Sequence, residues 1–553
     1  MTRGRRTGGA AYESRSFTLK KFVTGALALG LAIGLAYRLA PIAFGPDAMA
    51  QFFITEDGYL MLTVARNLAI GNGLSVSAGE IATNGIQPLA TLIYSVPYLL
   101  TGGDKVSSLI GILLIMTAFS AGAALAVRAF ARGVLAPLDA DPVWPWLAAA
   151  LWFLGPIALM HSMNGLETGL YVLMVAATAT YFGHVTAAGT RYTGRQQVIL
   201  GCLCGLVFLA RIDGAILVTA LFAARLLHVT LTRRLSLGSA IAEAIPPGLI
   251  SIAIAMPWLA HNQILFGSIM PISGPAQSMS AEFGQNLALI PTRLFETMFP
   301  MLPIPGRLEG SAAVQILAAA IVLAVVGAFL WRMAATRHPF RVAAFGYAAF
   351  GLALASYYGL LFGAPHFLSR YMAPLGPLLI AAALYVALDL ARHRSGRAAA
   401  GLRAAGLAAV VLGLALSLRF ALPGMREQGH FHVVSWVERN VDDDTWVGAV
   451  QTGTLGYWHD RTINLDGKVN PEALAARIAE GTVLNYVVAS EIDVIADWAG
   501  MAGWVDQPDT DFGEVFEVVV ADPAANLAVL RRREDARDRP GDGAALDSAA
   551  EAG

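Results

Sequence analysis

Glu56 and Asp57 stand side by side at the head of a polar stretch, residues 55–89 (TEDGYLMLTVARNLAIGNGLSVSAGEIATNGIQPL), in a chain that is otherwise mostly apolar. A carboxylate placed against a hydroxyl can take its proton as new bonding develops. Asp57 precedes a helix-like run, 58–69, whose polar positions Thr63, Arg66 and Asn67 fall near one another at helical spacing. The plain alternative is an interfacial amphipathic helix whose acidic start is favoured by the helix dipole. A further acid, Glu167, closes the turn Asn164-Gly165-Leu166. Arg211 and Asp213 interrupt an apolar hairpin, where ionisable groups are costly and face a cavity or each other. His366 and Arg370, followed by Tyr371, put a potential cation pair at a helix end. The forked donors of arginine suit a phosphate, although an arginine there can also simply snorkel to the interface. Trp258, Asn262, Phe266-Gly267-Ser268 and Pro271 begin a long loop that either lines a cavity or anchors the interface.

The elements that must position these groups are membrane spans. The chain has 553 residues, 56% hydrophobic and 14% charged, against roughly 25% charge in soluble domains. A formal net charge of -1 and the lack of a basic run interleaved with aromatics exclude a nucleic-acid footprint. Cys202 and Cys204 lie in an apolar run and read as buried, inert thiols. Residues 1–21 form a basic cytoplasmic N-terminus. The apolar segment 22–44 exceeds the roughly 7–15 residues of a cleaved signal's core and reads as a retained anchor, despite Ala48-Met49-Ala50 behind it.

Further segments of about 20 apolar residues are 106–128, 143–161, 167–187, 243–262, 312–331, 342–362, 371–390 and 402–420, with a hairpin of two spans at 196–231. That gives a mainly α polytopic membrane protein of about eleven transmembrane helices. Residues 86–100 are short, contain Pro88 and Pro97, and are expected to lie along the outer interface. The arginine-bearing loops around 128–132, 191–195, 225–234, 332–341 and 392–403 then fall together on the cytoplasmic side. The transmembrane domain is thus 22–423, with the outer loop 45–105 as its polar face. Residues 424–535 read as a small extracytoplasmic α/β domain, with strand-like runs at 446–450, 516–520 and 527–530 and a helix-like piece at 471–479. This domain is expected to shape access of an acceptor and do no chemistry, its His430, His432 and His459 being scattered surface histidines. The tail, 536–553, has a disordered composition.

Glu56-Asp57 with Ala65-Arg66-Asn67, Gly71-Asn72-Gly73, Thr83-Asn84-Gly85 and Gln87-Pro88-Leu89 resembles the first outer loop of the GT-C glycosyltransferase superfamily. Asn164 to Thr168, Ala210 to Gly214, Phe266-Gly267-Ser268 before Pro271, Arg370-Tyr371 and residues 453–467 are similar to recurring stretches of the same proteins. The likeness is to bacterial mannosyl- and arabinofuranosyltransferase-like members that use polyprenyl-phosphate sugars, and it spans about residues 20–530. It implies an inverting transfer of a sugar from the lipid phosphate to a cell-envelope glycan, lipid or protein acceptor outside the cytoplasmic membrane. Asp57 matches the family's catalytic acid and would act as base. Arg370, with His366 or Arg211, would hold the phosphate. Glu56 and Glu167 would orient substrates, and Arg66, Asp213 and Tyr371 would line the site. Gly58 stands where many members have Ala, a departure not expected to alter the chemistry. No cofactor is expected, and no metal spacing is evident, though a divalent ion is compatible with the acids.

A transporter or flippase of lipid-linked glycans is the alternative, but it calls for an internal repeat and mid-membrane charges. The sequence carries no such repeat, and its notable charges gather on one face. A membrane-anchored binding protein would leave the acids of the first loop without a task.

Overall fold

The computed structural model describes residues 7–189, 191–279, 281–392, 396–421, 430–508 and 510–536. The basic residues of the first six positions and the tail from 537 onward lie outside them. Apolar runs become helices because a lipid core offers no partner for backbone N–H and C=O groups. Nine described helices are long and apolar enough to span: Lys21–Phe44, Lys105–Leu138, Thr168–Ala188, Gly214–Leu231, Leu237–Phe266, Ala312–Ala335, Arg341–Leu360, Pro365–Arg392 and Ala400–Arg419. A tenth is a bent pair, Val143–Phe153 with Pro156–Ser162, turning by 64°. Only by adding the shorter apolar helix Gly194–Ala210 does the number reach the eleven expected from the sequence. Pro88–Thr101 is a 14-residue helix; it rises about 21 Å, short of a hydrocarbon core of about 30 Å.

The bend is a built feature. Pro156 begins the second helix at a position where its missing N–H costs nothing. The carbonyls freed at the break take donors from other helices. Arg38 Nη2 donates to Phe153 O at 2.7 Å, and Ser417 Oγ donates to Leu154 O at 2.8 Å. Arg38 is buried, with Nε on Ser120 Oγ at 3.0 Å and its guanidinium 3.7 Å from the Phe153 ring centroid. A cation at this depth is tolerated because backbone oxygens and a π face surround it. The bend carries the chain sideways and delivers the Asn164-Gly165 turn to the polar end of the bundle.

At that end the first loop folds as a helix, Glu56–Ala69, capped by Thr55, then the short strands β1 (Ser75–Val76) and β2 (Ile81–Ala82), paired antiparallel. Asn84 accepts from Ile272 N at 3.0 Å and so ties the long loop after Leu237–Phe266 to the first. Trp258 packs with Val64, Val76, Ile86 and Val469 in a buried cluster, and Asn262 donates to Ile269 O at 3.2 Å. These residues anchor the loops.

The C-terminal region is a five-stranded mixed sheet, β3 (Val447–Ala449), β4 (Thr462–Asn464), β5 (Val494–Asp497), β6 (Phe516–Asp522) and β7 (Leu527–Arg532), in the order β4-β3-β5-β7-β6. The first three run parallel, and β7 pairs antiparallel with β5 and β6. The sequence shows β3, β6, β7 and the helix Pro471–Glu480, and it passed over β4 and β5. His459 is buried and bonded to Thr462, which corrects its reading as a surface residue.

The expected sidedness has a direct test. Single cysteines in place of the exposed residues Glu80 (first loop), Ala489 (sheet region) and Thr232 (far end of Gly214–Leu231) sample the two ends of the bundle. In intact cells, an impermeant thiol reagent should label Glu80→Cys and Ala489→Cys and spare Thr232→Cys. Labelling of Thr232→Cys alone would invert the protein.

Candidate active site

Asp57 sits in the first turn of Glu56–Ala69 because Thr55 caps that helix, its Oγ1 accepting from Gly58 N at 3.4 Å. Thr55 is itself held by Asn164 O, which accepts from Thr55 N and Oγ1, each at 3.1 Å. The two segments touch backbone to backbone. A Cβ at Gly58 would run into the Asn164 carbonyl. Gly58, set aside in the sequence as a harmless departure, is therefore required by close approach.

The Asp57 carboxylate meets cations from two other parts of the chain. Arg370 Nη1 donates to Oδ2 at 3.3 Å, and Lys468 Nζ lies 3.7 Å from Oδ1. Lys468 also pairs with Asp466 at 3.1 Å. The Asp57 side chain is 21% exposed. Burial pushes its pKa up, but the charges of Lys468 and Arg370, with the Arg370 hydrogen bond, outweigh that and hold it below the ordinary carboxylate value. Burial likewise works against the Lys468 ammonium, and Asp57 and Asp466 together raise it above the usual lysine value.

Glu56, the neighbouring acid, points into the C-terminal region. It accepts hydrogen bonds from Gly453 N, from Thr454 N at 3.1 Å and from Thr454 Oγ1. Burial pushes its pKa to about 7, against those bonds and with help from the Asp497 charge. Both acids, with His161, His366, Arg370 and Lys468, line a cavity of about 380 Å³.

Arg211, Asp213 and Glu167 do not reach that cavity. They form a closed buried network in which Arg211 bonds Glu167 at 3.0 Å and Asp213 at 2.9 Å and 3.2 Å. The Tyr358 hydroxyl sits between Arg211 and Asp213 at 2.8 Å from each. Arg211, named with His366 as a candidate partner of Arg370 for a phosphate, is thus enclosed in this network and does not line the cavity, as Arg370 does. Tyr371 connects this network to the cavity. Its ring stacks on Tyr358 at 4.1 Å and its hydroxyl accepts from Arg370 Nη2 at 3.3 Å. Arg66 is also elsewhere: Nε donates to Gly103 O at 2.8 Å and Nη1 pairs with Asp460 at 3.0 Å. Lys105 joins the same Asp460 at 3.1 Å. These contacts, with Tyr98 OH on Tyr457 OH at 3.0 Å, seat the sheet region on the first loop. Arg66 is an anchor, placed outside the cavity where the sequence suggested a binding role.

Lys468, His430 and Gln451 also line the cavity, and sequence reading passed over all three as site residues. The motif at 453–467 stops one residue short of Lys468. The only local signal is a lysine directly after the Asn464-to-Gly467 turn, where Gly467 N donates to Asn464 Oδ1 and Lys468 N to Asp466 Oδ1. A Cβ at Gly85 would collide with the Lys468 carbonyl, so the first loop and this turn are in contact too. Among the described residues, no cluster of three or more His, Cys, Asp or Glu side chains is placed to hold a metal ion.

Two outcomes follow from this geometry. Gly58→Ala should lower turnover by at least about 10-fold, since a displacement of the order of 1 Å at a site costs as much or more; a fully active variant would mean the contact gives way freely. The second concerns pH. With its pKa raised on folding, Glu56 keeps a proton that the unfolded chain loses above about 4.3, so its contribution to stability falls as pH rises to about 7 and is level beyond. Thermal unfolding between pH 5 and 7 should therefore decline more steeply in the wild type than in Glu56→Gln; parallel curves would detach the effect from Glu56.

Residues 422–533 match a family described as a domain of unknown function (DUF8728). No curated protein matches the sequence. Solved structures are similar over nearly the whole chain. ArnT from Cupriavidus metallidurans, bound to undecaprenyl phosphate, has a TM-score of 0.57 at 11% identity, covering 93% of this chain and 99% of that one. The archaeal oligosaccharyltransferase AglB from Archaeoglobus fulgidus, in complex with an inhibitory peptide and a dolichol-phosphate, has a TM-score of 0.54 at 13% identity, covering 88% of this chain and 70% of that one. With its apolar helices, polar first loop and small C-terminal sheet, the chain has the fold of the GT-C superfamily of membrane glycosyltransferases.

Proposed function

We propose that this protein transfers a sugar from a polyprenyl-phosphate donor to a hydroxyl acceptor in the cell envelope, on the extracytoplasmic side of the cytoplasmic membrane. The single observation that carries the reading is the Asp57 carboxylate held between Arg370 and Lys468 at the wall of the cavity. The similarity to structures solved with undecaprenyl phosphate and dolichol-phosphate supports the donor class. The sugar is a hexose or a pentose, and the acceptor a glycan, a lipid or a protein.

In this reading the donor phosphate lies against Arg370 and Lys468. Two fixed cations stabilise the charge that grows on the phosphate oxygen as it leaves the anomeric carbon. Drawing them toward the phosphate also loosens their hold on Asp57, which lets its pKa rise toward that of a useful base. The acceptor oxygen forms its bond to the anomeric carbon from the opposite face, so the centre inverts. The sugar–phosphate C–O bond breaks, its electron pair leaves with the polyprenyl phosphate, and the hydroxyl proton passes to Asp57. Charge on the leaving group is carried by side chains, and the scheme invokes no metal. The remaining charged residues serve this centre from a distance. Tyr371 orients Arg370, the Glu167–Arg211–Asp213 network holds Tyr371, and Glu56 secures the segment that brings Lys468. His366 lines the same cavity beside Asp57.

The test is release of polyprenyl phosphate from a panel of polyprenyl-phosphate sugars by the purified protein. Asp57→Asn should keep donor binding and lose at least about 100-fold in turnover. Lys468→Met and Arg370→Ala should each weaken donor binding by about 10- to 100-fold, the value of a charge-assisted hydrogen bond. Arg370→Lys should recover only part, because a lysine keeps the charge without the fork. If no donor in the panel is turned over, or if Asp57→Asn is as active as the wild type, the reading fails.

A further inference from the structure

At the end of the bundle away from Asp57 there is another cavity, of about 930 Å³, between Gly214–Leu231, the end of Ala312–Ala335 and the start of Arg341–Leu360. Its position follows from the helices themselves. Asp213 and Tyr358 meet beside the candidate site, whereas Leu231 and Arg341 lie at the opposite ends of the same two helices. An 18-residue helix separates its ends by about 27 Å.

The groove has a cationic mouth and apolar walls. Arg234, Arg337 and Arg341 line it with His228, whose Nε2 is 3.5 Å from Arg341 Nη2. Arg234 and Arg337 both act electrostatically on Arg341, so the three charges are close neighbours. Among the described residues, none of the three forms an ion pair with a carboxylate. Nearby arginines are treated differently by the fold: Arg225 pairs with Glu243 at 3.1 Å and Arg332 with Asp389 at 2.7 Å. Like charges gathered without a counter-ion repel one another, and an anion in the groove relieves that repulsion. Below the arginines, Leu227, Leu231 and Phe345 are exposed, at 60%, 74% and 41%.

We propose that this groove binds an anionic phospholipid, with its phosphate among Arg234, Arg337 and Arg341 and its acyl chains along Leu227, Leu231 and Phe345. An anion paired with a long apolar body matches both halves of the groove, and basic pockets between spanning helices take such headgroups. The site is independent of the transferase reading and stands or falls without it.

The purified full chain in detergent, given phosphatidylglycerol or phosphatidylcholine of the same acyl composition, can be assayed by native mass spectrometry. The wild type should retain phosphatidylglycerol in saturable fashion and phosphatidylcholine far less. The triple variant Arg234→Gln/Arg337→Gln/Arg341→Gln should lose about 30-fold or more of that retention, given the value of each basic contact to an anionic headgroup. The control Arg191→Gln/Arg195→Gln, which removes exposed arginines outside the groove, should retain it. Thermal unfolding of each variant checks folding; if the triple variant is unstable, Arg234→Gln alone, at an exposed position, should still weaken retention. Equal retention of the two lipids, undiminished retention in the folded groove variants, or an equal loss in the control would overturn the proposal.

Discussion

The meeting of Asp57 with Arg370 and Lys468 is the contact on which the rest of the polar end depends. A carboxylate on the first loop, a guanidinium at the head of a late spanning helix and an ammonium from the C-terminal sheet region share one small volume. None of them is exposed enough for water to satisfy it alone; Asp57 is met by both cations, and Lys468 has Asp466 as a second partner. Assembly of the site is thereby coupled to correct docking of three segments distant in sequence. A charge left unpaired there would cost several kcal/mol, on the order of the penalty for breaking a buried pair.

What keeps Arg370 in place lies deeper. Arg211 is balanced by Glu167 and Asp213, and the Tyr358 hydroxyl completes the network. Tyr371 stacks on Tyr358 and accepts from Arg370, so the buried network acts as the footing of the cavity wall. Charges of this kind are expensive in a membrane protein unless they are fully paired, and here they are. Their contribution is position: Arg370 is presented on a rigid base, with little freedom lost when it engages an anion.

The sheet region is held by chemistry of the opposite character. Asp460 shared between Arg66 and Lys105, Tyr98 against Tyr457, Ser77 Oγ donating to Thr462 O at 2.7 Å, and Glu56 on Gly453 and Thr454 spread the attachment over several modest contacts. Glu56, adjacent to the central acid, is consumed by this docking. Successive residues at the start of a helix point about 100° apart, so at the wall of one cavity Asp57 meets Arg370 and Lys468 while Glu56 reaches Gly453 and Thr454 of the docked region.

By itself the sequence determined whatever is local. Hydropathy over windows of about 20 residues locates spans, and it recovered the helices, the hinge at Arg211 to Gly214 and the shift to a soluble composition after residue 423. Short motifs singled out the first loop, Asp57 and Arg370 as candidates, since turn formers and acids are legible one residue at a time, and the fold brings these two residues together. The partners of those residues were not legible. Whether Arg211 faced a cavity or Asp213, whether Arg66 lined the site or anchored a region, and whether Gly58 mattered all turn on what lies across the fold, and no spacing along the chain encodes it. Lys468 is the plainest case. One lysine after a turn in the sheet region carries no local mark of function. Only the tertiary structure, by seating that turn on the first loop where Gly85 leaves room for its backbone, brought its charge to Asp57.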